Sequence, residues 1–284
     1  MLELLKGAPV AEAINQRTQE LSEHLRSLGV SPTLALLRVG EREDDIAYEQ
    51  SAMKRCEKAG VDTRSVILPA DVSQKGLIAA IEELNCDKAV HGILLFMPLP
   101  KHLDGEATRR ALSPEKDVDG ISYGSLAGVF TGSGEGFPPC TAKACIEILD
   151  FYGIDCTGKN AVVVGRSLVV GRPLAMMLME KNATVTICHT KTQNLPSVTK
   201  EAQLLIAAVG KAKAIGAEHL STGQVLIDVG INFVDGKMCG DVDFPAAEAV
   251  SGFVTPVPGG VGSVTTAVLA SHVTEAARRF ADSP

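Results

Sequence analysis

Ala161-Val-Val-Val-Gly-Arg-Ser-Leu-Val-Val-Gly-Arg-Pro173 is the stretch of this chain whose residue types and spacing most resemble a ligand site. Ala161 to Val164 is a short apolar run with no polar break, as in a strand buried on both faces. Gly165 lets the backbone turn sharply without a Cβ clash. Pro173 suits the first turn of a helix, which Leu174, Met177 and Leu178 continue at helical spacing. A strand, a glycine turn and a helix N-terminus aim free N–H groups and the positive end of the helix dipole at one spot, which suits a phosphate. Arg166 and Arg172 add charge beside it. There is no Gly-x-Gly-x-x-Gly, only Gly165 and Gly171, so by itself the stretch fits an ordinary strand-to-helix turn equally well.

The elements around this turn favour the ligand reading. Strands are predicted at 184–188, 204–209 and 225–229, separated by helical or turn-rich segments. Such alternation argues for a parallel sheet, whose first turn is where a dinucleotide sits. The upstream part alternates as well. A helix is expected over 10–28, with Ile14, Leu21, Leu25 and Leu28 on one face. A strand at 33–39, a helix over 45–59 ending at Gly60, and a strand at 64–68 follow. Ser73 then caps a helix running to about Leu84, and a strand covers 90–96. No glycine-rich turn follows these first strands, so a second nucleotide domain is not expected. Met97-Pro-Leu-Pro100 suits neither helix nor ladder, Lys116-Asp-Val-Asp-Gly120 is a charged turn, and the glycine-rich stretch 124–139 reads as loop or linker. A helix over 141–152, with Thr141 as its N-cap and Cys145, Ile148 and Leu149 facing inward, is expected to bridge two domains. A rigid loop, Thr255-Pro-Val-Pro-Gly-Gly-Val-Gly262, precedes a last helix over 264–280.

At 284 residues the chain has enough length for two domains with real cores. Its 45% hydrophobic and 21% charged residues are ordinary for a soluble globular protein. A net charge of −7 argues against nucleic acid as the main partner, though a local basic pocket still suits an anionic ligand. Seven cysteines without a Cys-x-x-Cys pair imply reduced thiols and a cytoplasmic protein. Histidines and cysteines show no metal-ligand spacing, so no metal is expected. The first residues mix acid and base without a cleavage site, and no apolar run approaches the ~20 residues a membrane span needs.

Six stretches stand in order: Tyr48 with its helix, Lys116-Asp-Val-Asp-Gly120, Pro139-Cys-Thr141, Gly165 to Pro173, Gly240-Asp-Val-Asp243 and Pro256-Val-Pro-Gly-Gly-Val-Gly262. With them the chain resembles, over nearly its whole length, the methylenetetrahydrofolate dehydrogenase/cyclohydrolase family of one-carbon folate metabolism. The resemblance implies a two-domain α/β fold with the active site in the cleft between the domains, and usually a homodimer. The folate domain would be residues 1–140, with helix 263–284 packing back on it; residues 141–262 would form a Rossmann-like NAD(P)-binding domain. Asp119 matches the pterin-binding aspartate, since a carboxylate accepts two parallel N–H bonds; the other reading is a turn-capping Asp. Tyr48 matches the tyrosine that stacks on the aminobenzoate ring, the other reading being a half-buried helix Tyr. Pro98, Leu99, Pro258, Gly259 and Gly260 would contact the tetrahydrofolate substrate, the two glycines by close backbone approach or merely as a tight turn. Cys140 and Thr141 match residues beside the nicotinamide, and nothing nearby in sequence activates Cys140 as a nucleophile. Gly165, Arg166 and Ser167 would cradle phosphate, and Ile231 would lie near the nicotinamide. NAD sites usually carry an acid about twenty residues past the glycine turn. Here the second strand ends in Cys188-His-Thr-Lys191, so Thr190, Lys191 and Arg166 are expected to hold a 2′-phosphate and favour NADP. If these residues are merely solvated, the cofactor is NAD.

The chain departs from the family pattern at positions that matter for hydrolysis. The catalytic lysine four residues after the tyrosine is Ala52, its glutamine partner is Phe96, and the serine three before the tyrosine is Asp45. Lys54 lies two residues past position 52, about 200° round the helix. Ala142, Ser263, Val264 and His272 also differ from the pattern and read as tolerated. The expectation is therefore a methylenetetrahydrofolate dehydrogenase whose cyclohydrolase activity is lost or very weak, with a separate cyclohydrolase in the host. The alternatives are a bifunctional enzyme with a substitute acid/base and a folate- or nucleotide-binding pseudoenzyme. Intact Asp119, Tyr48 and Gly165–Ser167 count against the last.

Overall fold

The computed structural model describes residues 2–250 and 252–282. In chain order the elements are β1 (Glu3–Leu4), α1 (Gly7–Ser27), β2 (Thr33–Val39), α2 (Glu43–Lys58), β3 (Asp62–Leu68), α3 (Gln74–Cys86), β4 (Gly92–Leu95), α4 (Gly105–Ala111), α5 (Tyr123–Thr131) and α6 (Cys140–Phe151). Then come β5 (Asn160–Val164), α7 (Gly171–Glu180), β6 (Thr184–Cys188), α8 (Leu195–Lys200), β7 (Leu204–Ala207), β8 (Val225–Asp228), β9 (Asn232–Val234), β10 (Lys237–Cys239), α9 (Phe244–Glu248), β11 (Phe253–Val254) and α10 (Val261–Ala281). The chain divides into two compact units, one of residues 12–140 with 266–284, the other of residues 1–11 with 141–265.

In the first of these units, β2 pairs in parallel with β3 on one side and β4 on the other. As the central strand of three, β2 buries Leu34 to Leu37 completely, which explains its unbroken apolar run. Ser73 caps α3 by accepting from Gly76 N at 3.1 Å, as its position before the helix predicts. Within this unit α10 lays the Arg279 guanidinium 4.5 Å over the Phe137 ring and sets Phe280 5.5 Å from His91.

One helix, α5, lies where the sequence reading placed loop, and another, α4, forms in a stretch that it left unassigned. α5 occupies the stretch read as linker: Ser122 Oγ accepts from Ser125 N at 3.2 Å at its start, and Gly132 ends it in the left-handed region. Its glycines mislead because Gly128 serves packing: a Cβ there would stand 2.0 Å from Glu135 O. α4 is a short helix capped by Asp104, which accepts from Glu106 N and Ala107 N. α6 starts at Cys140, so Thr141 lies inside the helix rather than capping it.

In the other unit six strands form a wholly parallel sheet in the order β1-β11-β8-β7-β5-β6. Residues 1–11, expected with the folate domain, belong to this unit because β1 pairs with β11 at its edge. Two residues of strand carry no periodic signal, so only the pairing reveals them. The chain runs from β5 to β6 on one side, then crosses to β7 on the other. That reversal makes a topological switch point at the carboxyl ends of β5 and β7, where open α/β sheets bind ligands.

Candidate active site

The glycine turn sits at this switch point. Gly165 has φ 139° and donates its N–H to Cys188 O at 2.9 Å. A Cβ on Gly165 would stand 2.2 Å from Ala208 O, and one on Gly171 would stand 2.1 Å from Gly165 O. Both glycines thus exist for close approach: the turn, the loop after β7 and the start of α7 share space no side chain can enter. Ser167 Oγ accepts from Val170 N at 3.1 Å and closes the turn. Pro173 is buried in the first turn of α7, while Arg166, Ser167 and Arg172 are exposed.

After β6 the backbone folds into a turn in which Thr192 N donates to His189 O at 2.8 Å and His189 N to Thr192 Oγ1 at 2.9 Å. Lys191 N donates to His189 Nδ1 at 3.1 Å, so a neutral His189 carries its proton on Nε2. Thr190 and Lys191 are exposed. Among the described residues, neither Lys191 nor Arg166 forms an ion pair within the chain.

Ile231, 56% exposed, has its Cδ1 3.2 Å from where a Cβ on Gly262 would lie, so it borders the Pro-Gly loop. In that loop Pro258 and Gly259 are exposed and Gly260 is buried. A Cβ on Gly260 would meet Pro256 O at 2.5 Å, so Gly260 is required by the tight turn itself. Gly259 has φ 101°, which favours glycine, and no atom crowds its position closer than 4.0 Å.

In the 12–140/266–284 unit, α2 leaves Tyr48 42% exposed, its ring edge-on to Phe96 at 5.8 Å between centroids. One turn along, Ala52 is 1% exposed, and Phe96 is 6% exposed. Lys54 projects elsewhere, into an open cavity of about 510 Å³ shared with Arg26, Glu57 and Asp62. Asp45 pairs with Arg42 at 3.3 Å, and Arg42 donates to Pro98 O at 2.9 Å. Pro98 is exposed and Leu99 half-buried beside it.

The 116–120 turn separates its two carboxylates by role. Asp117, fully buried, accepts from Ile121 N at 3.0 Å and Ser122 N at 2.7 Å, and so caps the turn. Asp119 is relieved of that duty. Burial, with the Asp117 charge, pushes its carboxyl up to about 7, opposed by a hydrogen bond from Cys140. Burial of the Tyr48 phenol, with Asp119 and Cys140 nearby, holds its hydroxyl well above the usual range, so it stays protonated. Cys140 is 1% exposed, and its Sγ lies 3.2 Å from Val118 O and beside Asp119. Burial and Asp119 raise this thiol well above its ordinary value, which rules out a thiolate nucleophile at neutral pH. His272, which sequence reading set aside as a tolerated change, donates from Nδ1 to Val118 O at 2.8 Å and packs on Phe137. No sequence signal links residues so far apart.

An open parallel sheet with a glycine turn at its switch point defines a dinucleotide-binding α/β unit. Residues 139–281 match the tetrahydrofolate dehydrogenase/cyclohydrolase NAD(P)-binding domain, and residues 5–119 match the catalytic domain of the same family. The chain belongs to the tetrahydrofolate dehydrogenase/cyclohydrolase family. It is 50% identical over 279 residues to a protein of Carboxydothermus hydrogenoformans named bifunctional protein FolD, covering 97% of each chain. The crystal structure of the Campylobacter jejuni FolD enzyme superposes with a TM-score of 0.95 at 37% identity, covering 98% of this chain and 99% of that one. The Trypanosoma brucei FolD, solved with NADP and an inhibitor, superposes with a TM-score of 0.90 at 31% identity, covering 99% and 98%. Among the described residues no group of His, Cys, Asp and Glu has the arrangement to hold a metal ion, and no helix is long and apolar enough to cross a membrane.

Proposed function

We propose that this protein oxidises 5,10-methylenetetrahydrofolate to 5,10-methenyltetrahydrofolate with NADP as hydride acceptor, and that its cyclohydrolase activity is absent or very weak. The observation that carries the substrate reading is the division of labour in the 116–120 turn. Asp117 satisfies the backbone, which leaves Asp119 for the paired amide and amino N–H groups of a pterin. Tyr48, half exposed and held edge-on by Phe96, offers a ring face to the aminobenzoate.

The glycine cradle fits a dinucleotide phosphate, because the space at Gly165 and Gly171 is closed to side chains while Arg166, Ser167 and Arg172 stand exposed around it. When bound, NADP supplies the acceptor for a hydride. Thr190, Lys191 and Arg166 are the residues that would hold its 2′-phosphate, and the absence of an acid over 188–191 supports NADP over NAD. So does the NADP complex of the Trypanosoma brucei relative. The chemistry then asks the chain mainly for orientation. The nitrogens flanking the bridging carbon push the hydride off and leave an amidinium cation; no proton moves. Positioning of this kind contributes on the order of 7–11 kcal/mol in favourable cases.

Hydrolysis of that cation requires water to add, a proton to leave, and a proton to reach the departing nitrogen, which a positioned acid/base accelerates by ~10²–10⁴. Ala52 and Phe96 are buried beside Tyr48 and have no proton to exchange, and Lys54 faces a different cavity. A separate cyclohydrolase would then consume the product. The bifunctional name of the Carboxydothermus hydrogenoformans relative favours a second reading, in which Tyr48 and Asp119 serve as substitute acid and base.

Two features support the remaining inferences. Strand β3 lies at the edge of its sheet with Ile67 51% exposed, which suits a homodimer. The seven cysteines lack a pairing motif, which suits the cytoplasm. The test of function is NAD(P)H formation from 5,10-methylenetetrahydrofolate, run with NAD and NADP side by side. No reduced nicotinamide with either would overturn the proposal.

A further inference from the structure

We propose that Asp241 is a positioning residue for the cofactor, fixing the loop after β7 as one wall of the nucleotide site. This deepens the function proposed above and rests on it. Asp241 is fully buried, and its carboxylate accepts four hydrogen bonds. Oδ2 takes Val209 N at 2.6 Å and Gly210 N at 2.8 Å; Oδ1 takes Lys211 N at 2.9 Å and Asn232 Nδ2 at 2.9 Å. That fills a carboxylate's acceptor capacity. Three consecutive backbone N–H groups are thus drawn onto one side chain that lies some thirty residues further along the chain.

The clamp is itself anchored. Asp228 Oδ1 accepts from Asp241 N and Oδ2 from Val242 N, both at 2.9 Å, and Ile215 N donates to Asp241 O at 2.9 Å. Each aspartate occupies space cleared by a glycine beside the other. A Cβ on Gly230 would stand 2.2 Å from Asp241 Oδ1, and one on Gly240 would stand 1.8 Å from Asp228 Oδ2. Burying two carboxylates is costly unless they are fully hydrogen-bonded, and burial pushes Asp228 up to about 6 against three backbone N–H bonds that lower it. A plain connection between strands would need no such device, because surface N–H groups bond to water.

The loop's location explains it. Ala208 N donates to Val164 O at 2.9 Å, and Ala208 O sits where a side chain on Gly165 would go, so the loop walls the glycine turn. With the three N–H groups turned inward, its other face is presented at the switch point. There Gly210, φ 68°, has nothing within 4 Å of the position of a Cβ. The cofactor lies along that open face, and Asp241 acts through the loop without touching it.

The test uses the full-length protein with NADPH as probe, its dissociation constant read from nicotinamide fluorescence, together with KM for both substrates. Asp241→Asn should raise the NADPH dissociation constant about tenfold, as changes behind a binding residue typically do, while KM for 5,10-methylenetetrahydrofolate moves less than about twofold. Circular dichroism identifies the folded variant, and loss of stability alone would lower the active fraction without this split. If Asp241→Asn does not fold, Asn232→Ala removes one of the four bonds and should raise the constant about threefold. A folded variant that binds NADPH like the wild type overturns the role of Asp241. A wild type that binds no NADPH overturns the functional reading instead.

Discussion

Replacing Asp119 by Asn separates what the carboxylate does for the ligand from what it costs the fold. Its folded-state value, about 7, lies above the 3.8 of an unperturbed Asp. The native state therefore holds the proton more tightly than the unfolded chain. The resulting stabilisation is fully present below about pH 4 and is lost as pH rises through 7. At pH 8 the wild type must keep an ionised carboxylate in a sheltered site beside Asp117. At ~1.4 kcal/mol per pH unit this displacement corresponds to about 4 kcal/mol, and partial solvent access lowers the expected effect to about 1–3 kcal/mol. Asp119→Asn is isosteric, so at pH 8 it should unfold later than the wild type by that amount, roughly 2–10 °C in Tm. The gap should close by pH 4, where both side chains are neutral. The same variant should lose at least ~100-fold in kcat/KM for the folate, because an amide offers one acceptor where the pterin edge needs two. In the wild type that kcat/KM should rise with pH through about 7 as Asp119 ionises. Urea and thermal melts at pH 4 and pH 8, with initial rates on the same samples, decide the matter. An unchanged pH 8 stability would refute the reasoning about burial, and retained folate activity would refute the role.

Three further outcomes are expected. NADP should exceed NAD in kcat/KM, and Lys191→Ala should reduce the NADP value by about tenfold while sparing NAD, since among the described residues this exposed lysine forms no ion pair; equal losses would remove Lys191 from the 2′-phosphate. The wild type should leave the decay of methenyltetrahydrofolate at its uncatalysed rate, and Ala52→Lys with Phe96→Gln should restore measurable hydrolysis; rapid decay with the wild type would point to Tyr48 and Asp119. Iodoacetamide at pH 8 should label exposed Cys86 and spare Cys140, whose thiol is buried and raised by Asp119, as peptide mass spectrometry would read.

The parts of the site legible in sequence are those whose signal is local. Ser73 before its helix, the strands β2 and β5, and the glycine turn at 165 are read from residues a few positions apart. They lie where spacing predicts. Ala52 is legible for the same reason, since one helical turn relates it to Tyr48. α5 was missed because Gly124 and Gly128 look like loop residues, whereas Gly128 answers to Glu135 O across a contact that composition does not encode. The contact of the Cys140 thiol with Val118 O spans more than twenty residues and has no local signal either.

The alternation of strands and helices, the glycine turn at 165 and the two carboxylates of the 116–120 turn are all written in the local sequence. The capping bonds themselves belong to the tertiary structure, because Asp117 and Asp119 are chemically identical and differ only in which N–H groups reach them. The same holds for the switch point, which depends on β6 and β7 taking opposite sides of β5, and for β1, two residues that become a strand only by pairing with β11. It holds for Asp241 too, whose four donors come from a loop some thirty residues earlier and from Asn232. Periodicity and turn chemistry act over a few residues; long-range pairing, burial and the satisfaction of buried charge are settled only when distant segments meet.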